Sequence, residues 1–504
     1  MLISFVVLTA VISPLLGQSV DKTLVARETG KEVVDAVVDR IILTCIFDND
    51  KLMLKRMAQA ESNDGSKLST TGDFNGGIWR ISKNDYKFVK DNGGQYFKDI
   101  SSKMGVDFVH TDYSDLEKPL YSGLAASIKL ALKVAASSIP WSCKEQAVTW
   151  ITKYGPELGT PNKTYYEAIC GKKDACDTSK ADIVIVIDES GSIGKDNFIL
   201  VKQFVVDLVG AFHVSADGIR IGIIKYASKT TTITGLGALT TTADVQDAVR
   251  NIIYSGSGTR TDLGLLKMRD MLHNGRGSEG IPQIGIILTD GKSSDADALK
   301  DAVKEISDES FTIFSVGVSG ADIEELKLYS SDPDCLHVYL LNDFTDMTDF
   351  VGQIQSLTCK APAELPPGEE VGGELGKMEY LFFRLKVKRT RKGVTIKLRM
   401  QTGSCKMYLS WKVRNPGPAV YDYIQDVTPN QREGGAMFIP WPDDLYYGWE
   451  EIYLYGAIVG GPGTIGMTNR YIMEYTDGMF SDRAGIVTAN LVLLVLMMVL
   501  AMLR

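Results

Sequence analysis

The sequence predicts a multidomain chain centred on a doubly wound α/β parallel sheet. An α-rich region precedes that sheet and an antiparallel β-sandwich follows it. Three observations predict this. Residues 176–360 alternate fully apolar strands with helical patterns, the mark of a mostly parallel sheet covered on both faces. Residues 20–175 carry apolar residues at helical spacing. Residues 377–477 hold short runs rich in β-branched and aromatic residues, separated by turns such as RNPGP and VGGPG. At roughly 100–200 residues per domain, 504 residues suggest about three domains.

Composition narrows the function. Hydrophobic residues make up 44% and charged residues 23%, ordinary for a globular chain. The net charge of −9 comes from interleaved acids and bases, with no basic stripe, which argues against nucleic acid as a partner. Residues 1–19 run from an apolar stretch through Pro14 to the small residues Gly17 and Ser19, and read as a secretory signal. Residues 482–504 read as a GPI signal rather than a single membrane-spanning helix, because the apolar core Leu491–Leu503 is short. Asp482, followed by Arg483 and Ala484, is the expected lipid attachment site, with Ser481 the alternative. The folded part is then expected on the extracellular face of the plasma membrane.

Seven cysteines suit that oxidising side, and the odd count leaves at least one free or paired between chains. Cys176 and Cys359 bracket the central region and are expected to close it, while Cys335 and Cys405 have no evident mates. The four histidines are scattered and no CxxC pair occurs, which argues against a zinc site. The sequon at Asn162 predicts a glycosylated surface loop.

The stretch DIVIVIDESGSIG, from Asp182, runs from a buried strand into oxygen-bearing side chains. Asp188, Ser190 and Ser192 stand two apart. A second strand, IGIIL, ends in Thr289 and Asp290, and a glycine-rich loop places Thr259 ahead of a helix. In parallel sheets ligands bind beyond the carboxyl ends of the strands. Two carboxylates and three hydroxyls there favour a hard divalent cation, Mg²⁺ foremost, with Mn²⁺ or Ca²⁺ as alternatives. The competing reading is a strand-end turn with helix caps, since Ser, Thr and Asp favour caps. A dinucleotide site is disfavoured, because no GxGxxG follows the first strand.

The motifs DESGS (188–192), GTRTD (258–262) and LTDG (288–291) resemble, in order and placement, the metal-ion-dependent adhesion site of von Willebrand factor type A domains. The resemblance implies that Asp188, Ser190, Ser192, Thr259 and Asp290 hold the cation, some through water. It also implies that a ligand carboxylate completes the shell.

In the N-terminal region a helical pattern ends in Glu61-Ser62, and FNGGIWRIS reads as a glycine turn leading into a short strand. With Gly76-Gly77-Ile78-Trp79, this resembles the lysozyme fold in its goose-type and lytic transglycosylase branch. That resemblance implies Glu61 as a general acid, with Asp73 the best second carboxylate. Burial near Trp79 would raise the Glu61 pKa. Arg80 stands where the family usually has Gln, and a cation there would keep Glu61 ionised. A fold reused for binding is the alternative.

Residues 361–376 are rich in Pro, Gly and Glu and read as a linker. The strands after them loosely resemble sandwich domains of the bacterial pre-peptidase C-terminal kind. The expected function is cation-dependent recognition of an extracellular protein or glycan that offers a carboxylate, on a membrane-anchored chain. The rivals are a surface glycan hydrolase acting through Glu61 and a structural matrix or coat component.

Overall fold

A computed structural model describes residues 19–477, apart from 48–49, 135–138, 156–168, 171–179, 308, 345, 390–392, 430–434, 443–450 and 463–467. The central region is a six-stranded sheet. Its order is Thr230–Thr234, Ile219–Tyr226, Ala181–Asp188, Gln283–Thr289, Thr312–Val318, Val338–Leu341. Only the edge pair 219–226 with 230–234 is antiparallel. The middle strand explains the apolar run in the sequence. Ile183, Ile185 and Ile187 face one core, and Val184 and Val186 face the other. Alternate side chains take opposite faces of a strand, so a strand buried on both faces has no polar positions to spare. Helices cover the two faces. In the helix Gly194–Gly210, Phe198, Val201, Val205 and Leu208 lie on one fully buried face. At the far end of the sheet, buried Asp182 is held by Arg276 at 2.6 Å.

The N-terminal region is helical. The helix Lys31–Leu43 packs on Pro119–Lys133, around a core that includes Trp79, Trp150 and Tyr154. Residues 75–80 are successive turns, not the strand expected after the glycines. The backbone is folded too tightly to extend. Gly76 and Gly77 both have positive φ, and a Cβ on Gly77 would lie 2.0 Å from the Leu116 carbonyl oxygen. Ser122 then pins the loop by donating to the Gly76 carbonyl at 2.9 Å.

The C-terminal region is a five-stranded and a four-stranded sheet over one shared core. The segment expected as a linker is part of it. Ala363–Glu364 pairs in parallel with Phe383–Arg384, and Val371–Leu375 pairs with Asn469–Met473. Both are edge strands, where Pro and Gly are tolerated. Val371 and Leu375 are buried, and Glu364 accepts from Arg384 at 2.8 Å.

The three regions touch pairwise. Val20–Asp21 forms an antiparallel bridge with Val420–Tyr421. Cys45 and Cys335 form a disulfide with Cα atoms 5.8 Å apart, which gives Cys335 its mate and ties the helical region to the central one. Cys143 pairs with Cys170. Cys359 is disulfide-bonded, and its expected partner Cys176 lies outside the described residues. Trp141 reaches from the helical region into the central core, with its ring 4.9 Å from that of Phe350. Cys405 is a buried free thiol inside a strand.

Candidate metal centre

The carboxyl end of the sheet gathers four of the five predicted side chains into one chain of hydrogen bonds. Asp188 ends its strand fully buried. One of its oxygens accepts the Ser190 amide at 2.7 Å, and the other accepts the Thr289 hydroxyl at 2.7 Å. The Ser190 and Ser192 hydroxyls are 3.0 Å apart, and Ser192 donates to Asp290 at 2.8 Å. The path runs from buried Asp188 and Ser190 to half-buried Asp290 and exposed Ser192. Thr259, the fifth, stands outside that chain of hydrogen bonds: its carbonyl accepts the Ser294 amide at 2.7 Å. Its loop is locked to the first motif, because the Gly191 amide donates to the Ser257 carbonyl at 2.8 Å.

Three supporting residues escaped the sequence reading. Tyr226 donates to Asp188 at 3.3 Å from the adjacent strand. Tyr254 donates to the Ser190 carbonyl at 2.9 Å. Buried Glu189 pairs with Lys225 at 2.9 Å and accepts the Ser255 amide at 3.2 Å. The shared strand end was the available signal for Tyr226, and membership of the DESGS motif for Glu189; nothing local marks Tyr254.

The electrostatics fit a cation. Burial pushes the Asp188 carboxyl up to about 6, with the neighbouring Asp290 charge acting in the same direction against the Ser190 and Thr289 hydrogen bonds. Burial also raises Asp290, against the Ser192 hydrogen bond. Two adjacent carboxylates that resist ionisation are relieved by a bound cation, which reverses the local field. The donors are hard oxygens throughout. Among the described residues no group of three or more His, Cys, Asp and Glu side chains is placed to hold a metal ion. The hydroxyls must therefore supply much of any shell here, and positions remain for water or an incoming carboxylate.

Residues 182–353 match the family model described as the von Willebrand factor type A domain. The chain contains a type A domain. Similar proteins include the newt collagen alpha-1(XII) chain, 35% identical over 207 residues, which span 40% of this chain and 22% of that one. Mouse matrilin-4 is 33% identical over 193 residues, 37% of this chain and 30% of the relative. The chain thus spans well under half the length of these relatives. Among solved structures, proximal thread matrix protein 1 from the mussel byssus is 24% identical, with a TM-score of 0.34. That match covers 39% of this chain and 50% of that one. The type A domain accounts for the central sheet and for the order of the three motifs. The helical and β-rich flanks lie beyond the matched residues.

In the helical flank, Glu61 ends the helix Met53–Ser62 and accepts the indole N–H of Trp150 at 3.1 Å. The indole of Trp79, its expected neighbour, instead donates to the Leu54 carbonyl. Ser62 donates to the Ile78 carbonyl at 2.7 Å, fixing the helix end to the glycine loop. Burial raises the Glu61 carboxyl to about 7; Trp150, Lys129 and Arg80 each pull it down without prevailing. The Arg80 charge thus lowers the carboxyl, but by less than burial raises it. Asp73 is exposed, and its carboxylate accepts from the amide and side chain of Asn75. Among the described residues no hydrogen bond or ion pair joins it to Glu61. Asn162, Ser481, Asp482 and both terminal segments lie outside the described residues. Among those described, no helix is long and apolar enough to cross a membrane.

Proposed function

We propose that the type A domain captures an extracellular protein ligand through a divalent cation, Mg²⁺ foremost, held by Asp188, Ser190, Ser192, Thr259 and Asp290. The hydrogen-bonded path from Asp188 to Asp290 carries this reading, because it leads from a buried acid to a solvent-facing hydroxyl. The cation supplies a Lewis-acid anchor for a carboxylate. The chain's own residues hold it, orient it and leave its outer face open. The relatives by sequence, a collagen chain and a matrilin, support a matrix or adhesive setting. In that setting the N-terminal segment serves as a secretory signal and the C-terminal one as a membrane anchor at Asp482 or Ser481. A glycan bearing a carboxylate would meet the same site.

The test is capture of extracellular matrix proteins by the full chain, in Mg²⁺ and in chelator, with Asp188→Ala as the matched variant. Capture that depends on Mg²⁺ and on Asp188 supports the reading. Capture unaffected by either removes it.

One observation favours a second activity. A carboxylic acid that titrates near neutral pH, at the end of a helix and beside an indole, is suited to protonate a glycosidic oxygen. On that reading the helical flank is lysozyme-like, Glu61 is the acid, and Asp73 would need to be brought to the substrate. Peptidoglycan and chitosan hydrolysis by the full chain, lost in Glu61→Gln, would support it. No turnover on either polymer would leave Glu61 a structural residue of a binding module.

A further inference from the structure

Beside the cation site stands Ile253, 81% exposed and the most exposed large hydrophobic residue among those described. A single apolar residue in water is ordinary, so exposure alone decides nothing. What matters here is that its segment has no freedom to tuck it away. The backbone from 252 to 258 is tied at almost every residue. Lys202 donates to the Ile252 carbonyl at 3.2 Å, and Lys225 to that of Ile253 at 2.9 Å. The Ser255 amide donates to Glu189 at 3.2 Å, and the Gly258 amide to the Ser228 hydroxyl at 2.9 Å. Between them, Tyr254 and Ser257 are bonded to Ser190 and Gly191 of the first motif. The loop is therefore nailed to the cation site, with the Ile253 side chain left facing water.

A second exposed isoleucine adjoins it. Ile199, 58% exposed, follows Phe198 in the helix Gly194–Gly210. The Phe198 and Tyr254 rings are 5.2 Å apart, so Ile199 and Ile253, their neighbours in the chain, flank one contact. Ile199 also stands three residues before Lys202, on the side of the helix that reaches the Arg250 and Ile252 carbonyls. The same contact borders the cation site, because the Tyr254 hydroxyl donates to the Ser190 carbonyl.

We propose that Ile199 and Ile253 form an aliphatic shelf beside the cation, and that the ligand is a protein segment whose metal-binding Asp or Glu is flanked by a bulky aliphatic side chain. This rests on the cation-dependent capture proposed above and adds the ligand's class to it. Continuity with the cation site selects the occupant: a carboxylate held there brings the residue next to it over the shelf. Isoleucine is stiff at χ1 and the loop is already fixed, so covering the shelf orders little that was free. A carboxylate without an apolar neighbour gains nothing from it.

The experiment passes the full chain over three immobilised peptides, Gly-Leu-Glu-Leu-Gly, Gly-Ser-Glu-Ser-Gly and Gly-Leu-Gln-Leu-Gly, in Mg²⁺ and in EDTA. In Mg²⁺ alone, the wild type should bind the Leu-Glu-Leu peptide about tenfold or more tightly than the Ser-Glu-Ser peptide, the factor that burial of an aliphatic side chain supplies. The Leu-Gln-Leu peptide should stay unbound. Ile253→Ser combined with Ile199→Gln should take up Mg²⁺ like the wild type in a calorimetric titration, which shows the domain intact, and should treat the two glutamate peptides alike. Equal binding of both glutamate peptides by the wild type, lost in EDTA, keeps the cation site and overturns the shelf. A preference that survives the double variant also overturns it. Absence of Mg²⁺-dependent binding to either glutamate peptide overturns it as well, and absence of Mg²⁺ uptake besides removes the cation reading itself.

Discussion

Replacing Asp188 with Asn should make the chain more stable in chelator and deaf to Mg²⁺. The carboxyl is fully buried and pushed from 3.8 to about 6, chiefly by loss of solvent. At 1.36 kcal/mol per pH unit, that displacement costs the cation-free fold roughly 3 kcal/mol once the pH is well above 6. Asn keeps the shape and an oxygen for the Ser190 amide, and the Thr289 and Tyr226 hydroxyls can turn to accept from its NH₂. Most of the roughly 3 kcal/mol should therefore be recovered. For a domain of this size, that raises the melting transition by roughly 5–10 °C. Below pH 3.8 the wild-type carboxyl is protonated folded and unfolded, so the advantage disappears there. In Mg²⁺ at about 100 times its Kd, the wild type gains about 2.7 kcal/mol and the variant nothing, so the gap closes. Scanning calorimetry of the full chain at pH 7.5, in EDTA and in Mg²⁺, reads both effects. A variant that melts below the wild type in EDTA, or gains as much from Mg²⁺, refutes the reasoning.

Glu61 should behave alike without any metal: its carboxyl is raised to about 7, so its contribution to stability falls as pH rises from about 4.5 through 7. Glu61→Gln should gain up to roughly 3 kcal/mol at pH 8 and almost nothing at pH 4, by denaturant unfolding. Any hydrolytic rate that needs the protonated acid should decline as pH rises through about 7. His337 runs the other way. Burial, with the Arg414 charge, lowers it to about 3, so it stays neutral in the fold and donates from Nδ1 to the Pro333 carbonyl. Stability should fall as pH drops below 6.5, by roughly 2 kcal/mol at pH 5, and that slope should vanish in His337→Asn. The Cys405 thiol, pushed up to about 12 by burial, should resist alkylation in the native chain and react once unfolded. Rapid native labelling would contradict its placement inside the sheet and reopen cross-linking between chains.

The central sheet was legible because its signal is local. Five apolar residues in a row before Asp188, and the run 284–288 that ends one residue short of Asp290, admit few alternatives to a doubly buried strand. The candidate side chains at the strand ends could be named because a parallel sheet brings those ends to one edge. Long-range pairing was not legible. Nothing near Cys45 or Cys335 announces a partner 290 residues away. Residues 361–376 looked like a linker because Gly and Pro carry no strand signal, yet an edge strand tolerates both. The strand expected after the glycines at 76–77 does not form because the loop's tight packing depends on Leu116 and Ser122, which lie on another segment. The Glu61 pKa turned on a competition between burial and nearby cations that no motif records.

The most direct test of the cation site is calorimetric titration of Mg²⁺, then Mn²⁺, into the chelator-stripped full chain and into Asp188→Asn and Asp290→Asn. The account predicts one site per chain in the wild type and none in either variant. A site that survives both substitutions, or a wild-type chain that takes up neither ion, would contradict it.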